Sequence, residues 1–177
     1  TDLLRSVVKS IRMELLARGC EVRFAHRLAG LQVREGRVRA LAVEGPEGPY
    51  DLPCEALLLA PGHSARDTFA MLHSLGAPLE QKSFAIGVRV EHLQAALSEA
   101  QYGPAWRKLP PSDYKLACHL PDGRSVFSFC VCPGGQVVAA ASDAGQVVTN
   151  GMSLRARDGE NINGGLLVGV GPEDFPG

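Results

Sequence analysis

The sequence predicts an α/β fold interrupted by a mostly antiparallel β block. Three observations predict it. Apolar residues recur at three- and four-residue spacing from Leu3 to Leu16, the pattern of one helix face. The run Ala56-Leu57-Leu58-Leu59-Ala60 is apolar without alternation, which suits a strand buried on both faces as in a parallel sheet. From Ser83 onward short strand-like runs crowd together, and a last apolar strand, Leu166 to Val170, closes the chain.

Taken in order, Leu3, Leu4, Val7, Val8, Ile11, Leu15 and Leu16 line the first helix. Thr1 or Asp2 is expected to cap its start and Gly19 to supply the left-handed stop. Cys20, Val22 and Phe24 alternate with Glu21 and Arg23, the signature of a short strand. Leu31 and Val33 lead to a turn at Glu35-Gly36, Val38 to Val43 returns, and a second turn falls between Glu44 and Pro49 before Tyr50 to Leu52. These runs read as an antiparallel meander. The buried run ends at Pro61-Gly62. Ser64 is then expected to cap a helix, with Asp67 as capping-box partner. In that helix Phe69, Leu72 and Leu75 face inward and Gly76 stops it.

The second block opens with a strand from Phe84 to Val90 and a helix from Leu93 to Ala100. A loop carrying Pro104, Pro110 and Pro111 follows. Tyr114 to Leu120 and Ser125 to Cys132 form a hairpin about Pro121-Asp122-Gly123-Arg124. Gln136 to Ala141 and Val147 to Thr149 add strands, and a polar loop runs from Ser153 to Asn163. The expected divisions are residues 1–78, 79–163 and 164–177.

Charge argues against a nucleic-acid partner. Lys plus Arg total 18 and Asp plus Glu 19, a net charge of -1. Arg34, Arg37 and Arg39 surround a turn and read as a solvated hairpin tip. The five cysteines are odd in number and sit mostly in apolar or strand-like runs, the usage of reduced thiols in a cytoplasm. No apolar run reaches the roughly 18 residues of a membrane span, and no signal peptide is visible. A cytoplasmic location is expected. Both ends look cut, one opening directly on a helix and the other closing on a turn, so the chain reads as an internal fragment.

The motifs exclude more than they assign. The nearest approach to G-x-G-x-x-G is Gly169-x-Gly171, with Asp174 where the third glycine belongs. A phosphate loop needs glycines there, because backbone amides must approach the pyrophosphate. Gly62-His63-Ser64-Ala65-Arg66 imitates a nucleophile elbow but ends in Arg66 instead of glycine. The five histidines form no H-E-x-x-H and join no C-x-x-C cluster, which disfavours a metal site.

Cys130-Val131-Cys132-Pro133-Gly134-Gly135 is the most pointed constellation. In a regular strand the two thiols share a face. They read either as a redox pair or as small buried side chains entering a turn. Gly134-Gly135 permits close backbone approach to a flat ligand or another strand. The polar stretches Asn150-Gly151-Met152-Ser153 and Arg157 to Gly165 either turn the chain or touch a ligand.

Four longer words carry a family resemblance: Leu59-Ala60-Pro61-Gly62-His63-Ser64-Ala65-Arg66-Asp67, Phe84-Ala85-Ile86-Gly87-Val88-Arg89-Val90-Glu91-His92, Phe127-Ser128-Phe129-Cys130-Val131-Cys132-Pro133-Gly134-Gly135, and Thr149-Asn150-Gly151-Met152-Ser153. Through them the chain resembles the uncharacterised FAD-dependent dehydrogenases, within the glutathione-reductase-like class of NAD(P)/FAD-dependent flavoproteins. The resemblance implies a partial Rossmann-like FAD-binding sheet with a β-meander, interrupted by an inserted substrate-side domain (α+β) at residues 79–163. It implies that residues 164–177 return to the FAD-binding part. It also implies FAD contacts at Val22, Ala60, Pro61, Gly62 and Ser64. Pro61 stands where the family carries a residue with a hydroxyl and an amide donor. Pro133, Gly134, Gly135, Asn150, Gly151 and Met152 are implied to face the flavin or a small-molecule substrate. A nicotinamide nucleotide, NAD(P)H, is the implied electron donor. The chain alone is expected to be inactive. Two alternatives stand beside this: a non-catalytic β-rich ligand-binding or interaction module, and a thiol redox protein using Cys130 and Cys132.

Overall fold

The computed structural model describes residues 2–175. These divide into two compact units, one of residues up to Ser10 together with Gln81 onward, the other of Ile11–Glu80. The fold is mixed α/β with few helices, and every strand pairing among the described residues is antiparallel.

Helix α1 spans Leu4–Ala17. It ends as expected at Gly19, whose φ of 84° admits the left-handed turn. The Gly19 N–H donates to Leu16 O at 3.0 Å and the Cys20 N–H to Leu15 O at 3.0 Å, the paired bonds of a Schellman motif. The apolar face from Leu3 to Leu16 is exposed among the described residues. Of the proposed start caps, Thr1 lies outside the described residues. Asp2 accepts from the Arg155 N–H at 3.2 Å.

In Ile11–Glu80 the meander forms as read. Strands β1 (Arg27–Arg34), β2 (Arg37–Gly45) and β3 (Gly48–Pro53) pair in that order. Glu35 and Gly36, at φ 54° and 72°, make the two-residue turn between β1 and β2. Positive φ at both positions matches the right-handed twist of the flanking strands. Val43 is the buried apolar residue of this sheet.

Two expected strands do not form. Cys20 to Phe24 and Ala56 to Ala60 carry no strand assignment, because neither finds a ladder partner among the described residues. Leu58, expected inside a parallel sheet, is 91 % exposed. Helix α2 (Arg66–Ser74) also departs at its start. Its N-cap is Ala65, with no side-chain cap bond. The Ser64 hydroxyl lies instead 3.2 Å from His63 Nδ1. Phe69 and Leu75, expected inward, are exposed. Gly76 ends α2 by the same paired bonds as Gly19, to His73 O at 2.9 Å and, from the Ala77 N–H, to Leu72 O at 3.1 Å.

The other unit is built on a four-stranded sheet, ordered β4 (Phe84–Leu93), β9 (Asn161–Val170), β6 (Ser125–Cys132), β5 (Ala117–His119). The hairpin β7 (Gly135–Ala139) and β8 (Thr149–Ser153) forms a separate two-stranded sheet. Leu166 to Val170, expected as a separate returning strand, lies in β9 between β4 and β6. Val147, placed in a strand by the sequence, precedes β8 and is 92 % exposed. Helix α3 (Gln94–Tyr102) follows β4 directly. Ile162 and Val170 are the buried apolar side chains of this unit.

Candidate functional site

Each unit carries a cavity that gathers part of the residue set singled out from the sequence. In Ile11–Glu80 the cavity measures about 820 Å³. Its apolar lining comes from Leu41, Val43, Leu52 and the run Leu57–Pro61. Its polar lining is an ordered array of ion pairs. Arg27 Nη2 donates to Glu44 Oε2 at 2.7 Å and Nη1 to Asp67 Oδ2 at 3.2 Å. One guanidinium thereby joins β1, β2 and α2. Arg23 Nη1 donates to the Tyr50 hydroxyl at 2.8 Å while its Nε binds Glu21 Oε2 at 2.9 Å.

These contacts set the local charge. The hydrogen bond from Arg27 holds the Asp67 carboxyl below its usual range, aided by the Thr68 amide. Glu44 first, and Asp67 second, raise the Arg27 pKa, and Glu21 and then Tyr50 raise that of Arg23. His26 Nδ1 donates to Phe24 O at 2.7 Å, since a carbonyl can only accept. That places the hydrogen on Nδ1 in the neutral ring. The His26 ring meets Tyr50 edge-on at 5.9 Å.

Of the implied cofactor contacts, Ala60 and Pro61 line this cavity. Val22 does not, although its neighbours Glu21 and Arg23 do. Gly62 and Ser64 lie outside the lining. Arg27, Glu44, Asp67 and Tyr50 were missed by sequence reasoning. None was a site candidate in sequence; the meander brings Arg27, Glu44 and Tyr50 together, and α2 adds Asp67.

The second cavity, about 330 Å³, lies in the other unit. Its wall includes Gly134, Gly135, Met152 and Gly159, with Glu91, Asp158 and Glu160. Pro133 and Gly134 form the two-residue turn from β6 to β7. Every polar group of that turn is tied. The Pro133 carbonyl accepts from Ser153 Oγ at 2.9 Å. The Gly134 N–H donates to Gln94 Oε1 at 2.9 Å, and the Gly134 carbonyl accepts from Gly159 N–H at 3.2 Å. Gly134 has φ 54°, and a Cβ there would run into Arg157 O. A Cβ on Gly135 would lie 2.6 Å from Met152 O. Glycine is therefore required for backbone to pack on backbone here.

Asn150 and Gly151 do not line that cavity, and neither does Pro133. Gly151 instead covers a buried polar cluster. Arg89 Nη1 donates to Asn163 Oδ1 at 2.9 Å and to Cys130 O at 3.2 Å. Asn163 is wholly buried. Arg89 Nε and Asn163 Nδ2 are buried donors without a hydrogen-bond partner among the described residues. A Cβ on Gly151 would lie 2.6 Å from Arg89 Nη1 and 2.8 Å from Cys132 Sγ, closer still to Asn163 Oδ1.

The shared face expected for Cys130 and Cys132 is lost. The β6–β9 register shifts between Phe129 and Cys132, and Cys130 takes φ 47°. This bulge breaks the two-residue alternation. Cys130 is exposed, Cys132 is half-buried, and both are free thiols. The Cys132 thiol donates to Cys130 O at 3.4 Å. Tyr114 stacks on His92 with ring centroids 5.7 Å apart. Burial raises the Tyr114 pKa, and the charge of Arg89 opposes it.

Comparison with known proteins gives two matches. Residues 83–177 fit the family described as FAD-dependent protein, C-terminal domain-like. The whole chain aligns, 47 % identical over 180 residues, with an uncharacterized protein of Clostridium beijerinckii (strain ATCC 51743 / NCIMB 8052). The chain spans 33 % of that relative's length. No helix among the described residues is long and apolar enough to cross a membrane.

Proposed function

The chain belongs to the family of FAD-dependent proteins through its C-terminal-like domain, and from this we propose that it is part of a FAD-dependent oxidoreductase. One observation carries the reading: the family match at residues 83–177 contains the glycine-built cavity wall at Gly134, Gly135 and Gly159. Backbone packs on backbone at these glycines, which leaves their wall of the roughly 330 Å³ cavity free of side chains.

The residues present fit part of the cofactor. The larger cavity lies within the roughly 300–1,000 Å³ typical of ligand and cofactor sites. Its apolar lining suits a planar ring, and Glu21, Asp67 and the two guanidinium groups suit hydroxyls and charge at its edge. The phosphates would need groups beyond these 177 residues, since no G-x-G-x-x-G occurs in them. Bound FAD would supply hydride or electron transfer. The chain's own residues would orient it. Ala60 and Pro61 would supply van der Waals contact, Pro61 having no N–H to donate. The tied Pro133-Gly134 turn would hold Gly134, Gly135 and Met152 toward the flavin or substrate. Cys20 to Phe24 and Ala56 to Ala60 would gain ladder partners in a Rossmann-like sheet completed by the longer polypeptide. The exposed apolar α1 face and Leu58 support that completion. Use of NAD(P)H as donor and a cytoplasmic location belong to the same proposal.

The test is a titration of FAD into the full-length protein and into this chain alone. The reading expects bound flavin in the first and no tight binding in the second. A full-length protein that binds no FAD would overturn it.

A further inference from the structure

We infer that Gln94 is the positioning residue that sets the Pro133-Gly134 turn, and with it the glycine wall of the smaller cavity. This rests on the reading above that the wall faces the flavin or substrate.

Gln94 is 8 % exposed, and both ends of its side-chain amide are used. Nε2 donates to Ser98 Oγ at 3.1 Å and to the Ser112 backbone carbonyl at 2.9 Å. Oε1 accepts from the Gly134 N–H at 2.9 Å. The amide has one orientation that works. Flipped, its NH₂ would face the Gly134 N–H and its oxygen would face the Ser112 carbonyl, two repulsive pairs among buried groups.

The network behind it fixes the proton order. Ser98 Oγ receives Gln94 Nε2 and the Ser112 N–H, the latter at 3.3 Å. Both of its acceptor positions are then filled. Its own proton must point to Ser112 Oγ, 3.1 Å away. Ser98 and Ser112 are 2 % and 1 % exposed, so water does not compete for these bonds. The Gln94 backbone N–H also donates to Glu160 O at 3.0 Å. Gln94 thus ties the start of α3 to two cavity-lining segments, the Gly134 turn and the strand entry at Glu160.

Other hydrogen bonds of the Ser98–Ser112 pair hold α3 to the loop before Tyr114. Within the Gln94–Ser98–Ser112 network it is Gln94 Oε1 that reaches the glycine turn; Ser153 Oγ and the Gly159 N–H hold the turn's two carbonyls. The two roles separate by mutation. In the full-length protein Gln94→Met removes the acceptor for Gly134, while Ser98→Ala weakens the network behind it and leaves that acceptor in place. Gln94→Met should weaken FAD binding at least fivefold and move the visible absorption band of the bound flavin. Ser98→Ala should lower the melting temperature with FAD affinity within twofold of wild type and an unmoved band. Gln94→Glu keeps an oxygen for the Gly134 amide but sets a second oxygen against the Ser112 carbonyl, so it should hold the wild-type band at a pH low enough to protonate that carboxyl, whose O–H then donates to Ser112 O.

An unmoved band and unchanged affinity in Gln94→Met would overturn the inference, as would equal flavin effects in Gln94→Met and Ser98→Ala. Should Gln94→Met fail to fold, a displaced band in Gln94→Glu with its carboxyl protonated would overturn it. Wild-type protein without flavin would refute the underlying functional reading, and the inference with it. Flavin-loaded wild type with an indifferent Gln94→Met would refute the inference alone.

Discussion

Gly151→Ala tests the buried cluster under β8 most sharply. Gly151 is not in the left-handed region, so the cost of a methyl group there is steric. The added Cβ would lie 2.6 Å from Arg89 Nη1 and 2.8 Å from Cys132 Sγ, with Asn163 Oδ1 nearer than either. Asn163 is wholly buried and the Arg89 guanidinium is held by it, so these are not free side-chain ends. Either β8 lifts away or the Arg89–Asn163 hydrogen bond breaks. Overpacking of this kind costs about 1–3 kcal/mol, and losing a hydrogen bond to a charged group costs about 1.5–3 kcal/mol. By either route the expected destabilisation is about 1–3 kcal/mol, measured by urea unfolding with an unchanged slope. A double-mutant cycle locates the effect. In an Asn163→Ala background the nearest clashing atom is gone, so Gly151→Ala should cost at least about 1 kcal/mol less, beyond the ~0.5 kcal/mol scatter of independent sites. A single-mutant loss below about 1 kcal/mol, or additivity in the cycle, would refute the reasoning.

Other predictions follow from single contacts. Asp174 bonds Arg124 at 2.7 Å and accepts from the Gly171 N–H, and its pKa is lowered to about 2. A depressed carboxyl adds stability that is present above its unfolded value and lost as pH falls through the folded one. Amide protection of Gly171 should therefore hold above pH 3.8, the ordinary carboxyl value, and fade toward about 2; Asp174→Asn should abolish that pH dependence. Arg27→Met should return the Asp67 pKa toward its ordinary value of 3.8, followed by carboxyl NMR titration; an Asp67 that stays depressed would assign the shift to the Thr68 amide instead. Gly19→Ala should cost about 1 kcal/mol, because the left-handed C′ position admits a Cβ poorly even where nothing crowds it; thermal or urea unfolding with no loss would contradict the Schellman assignment.

Local chemistry was legible in the sequence and long-range pairing was not. Gly19, Gly36 and Gly76 announced their stops and turns because left-handed backbone is a property of a single residue. The meander from Arg27 to Pro53 was readable because its turns are two residues long. The apolar run at Ala56 to Ala60 was read as a buried strand, yet a strand requires partners, and none exists among the described residues. The same limit governs the sites. Gly134 and Gly135 were visible as a close-approach motif. Gln94, which holds that turn from forty residues away, looked like an ordinary residue in the first turn of a helix. The pairing of Arg27 with Glu44 and Asp67 had no signal in sequence, where Asp67 was read as a helix-cap partner. The paired thiols failed for a different reason: a bulge at Cys130 overrode the two-residue periodicity on which the reading relied.

The central claim is that this chain is part of a flavin-binding enzyme and carries the cofactor's non-phosphate contacts. The most direct measurement is the visible absorption spectrum of the purified full-length protein, set beside FAD titration of the 177-residue chain. The account predicts a stoichiometric yellow flavin in the former and no tight binding in the latter. A colourless full-length protein that takes up no added FAD would contradict it.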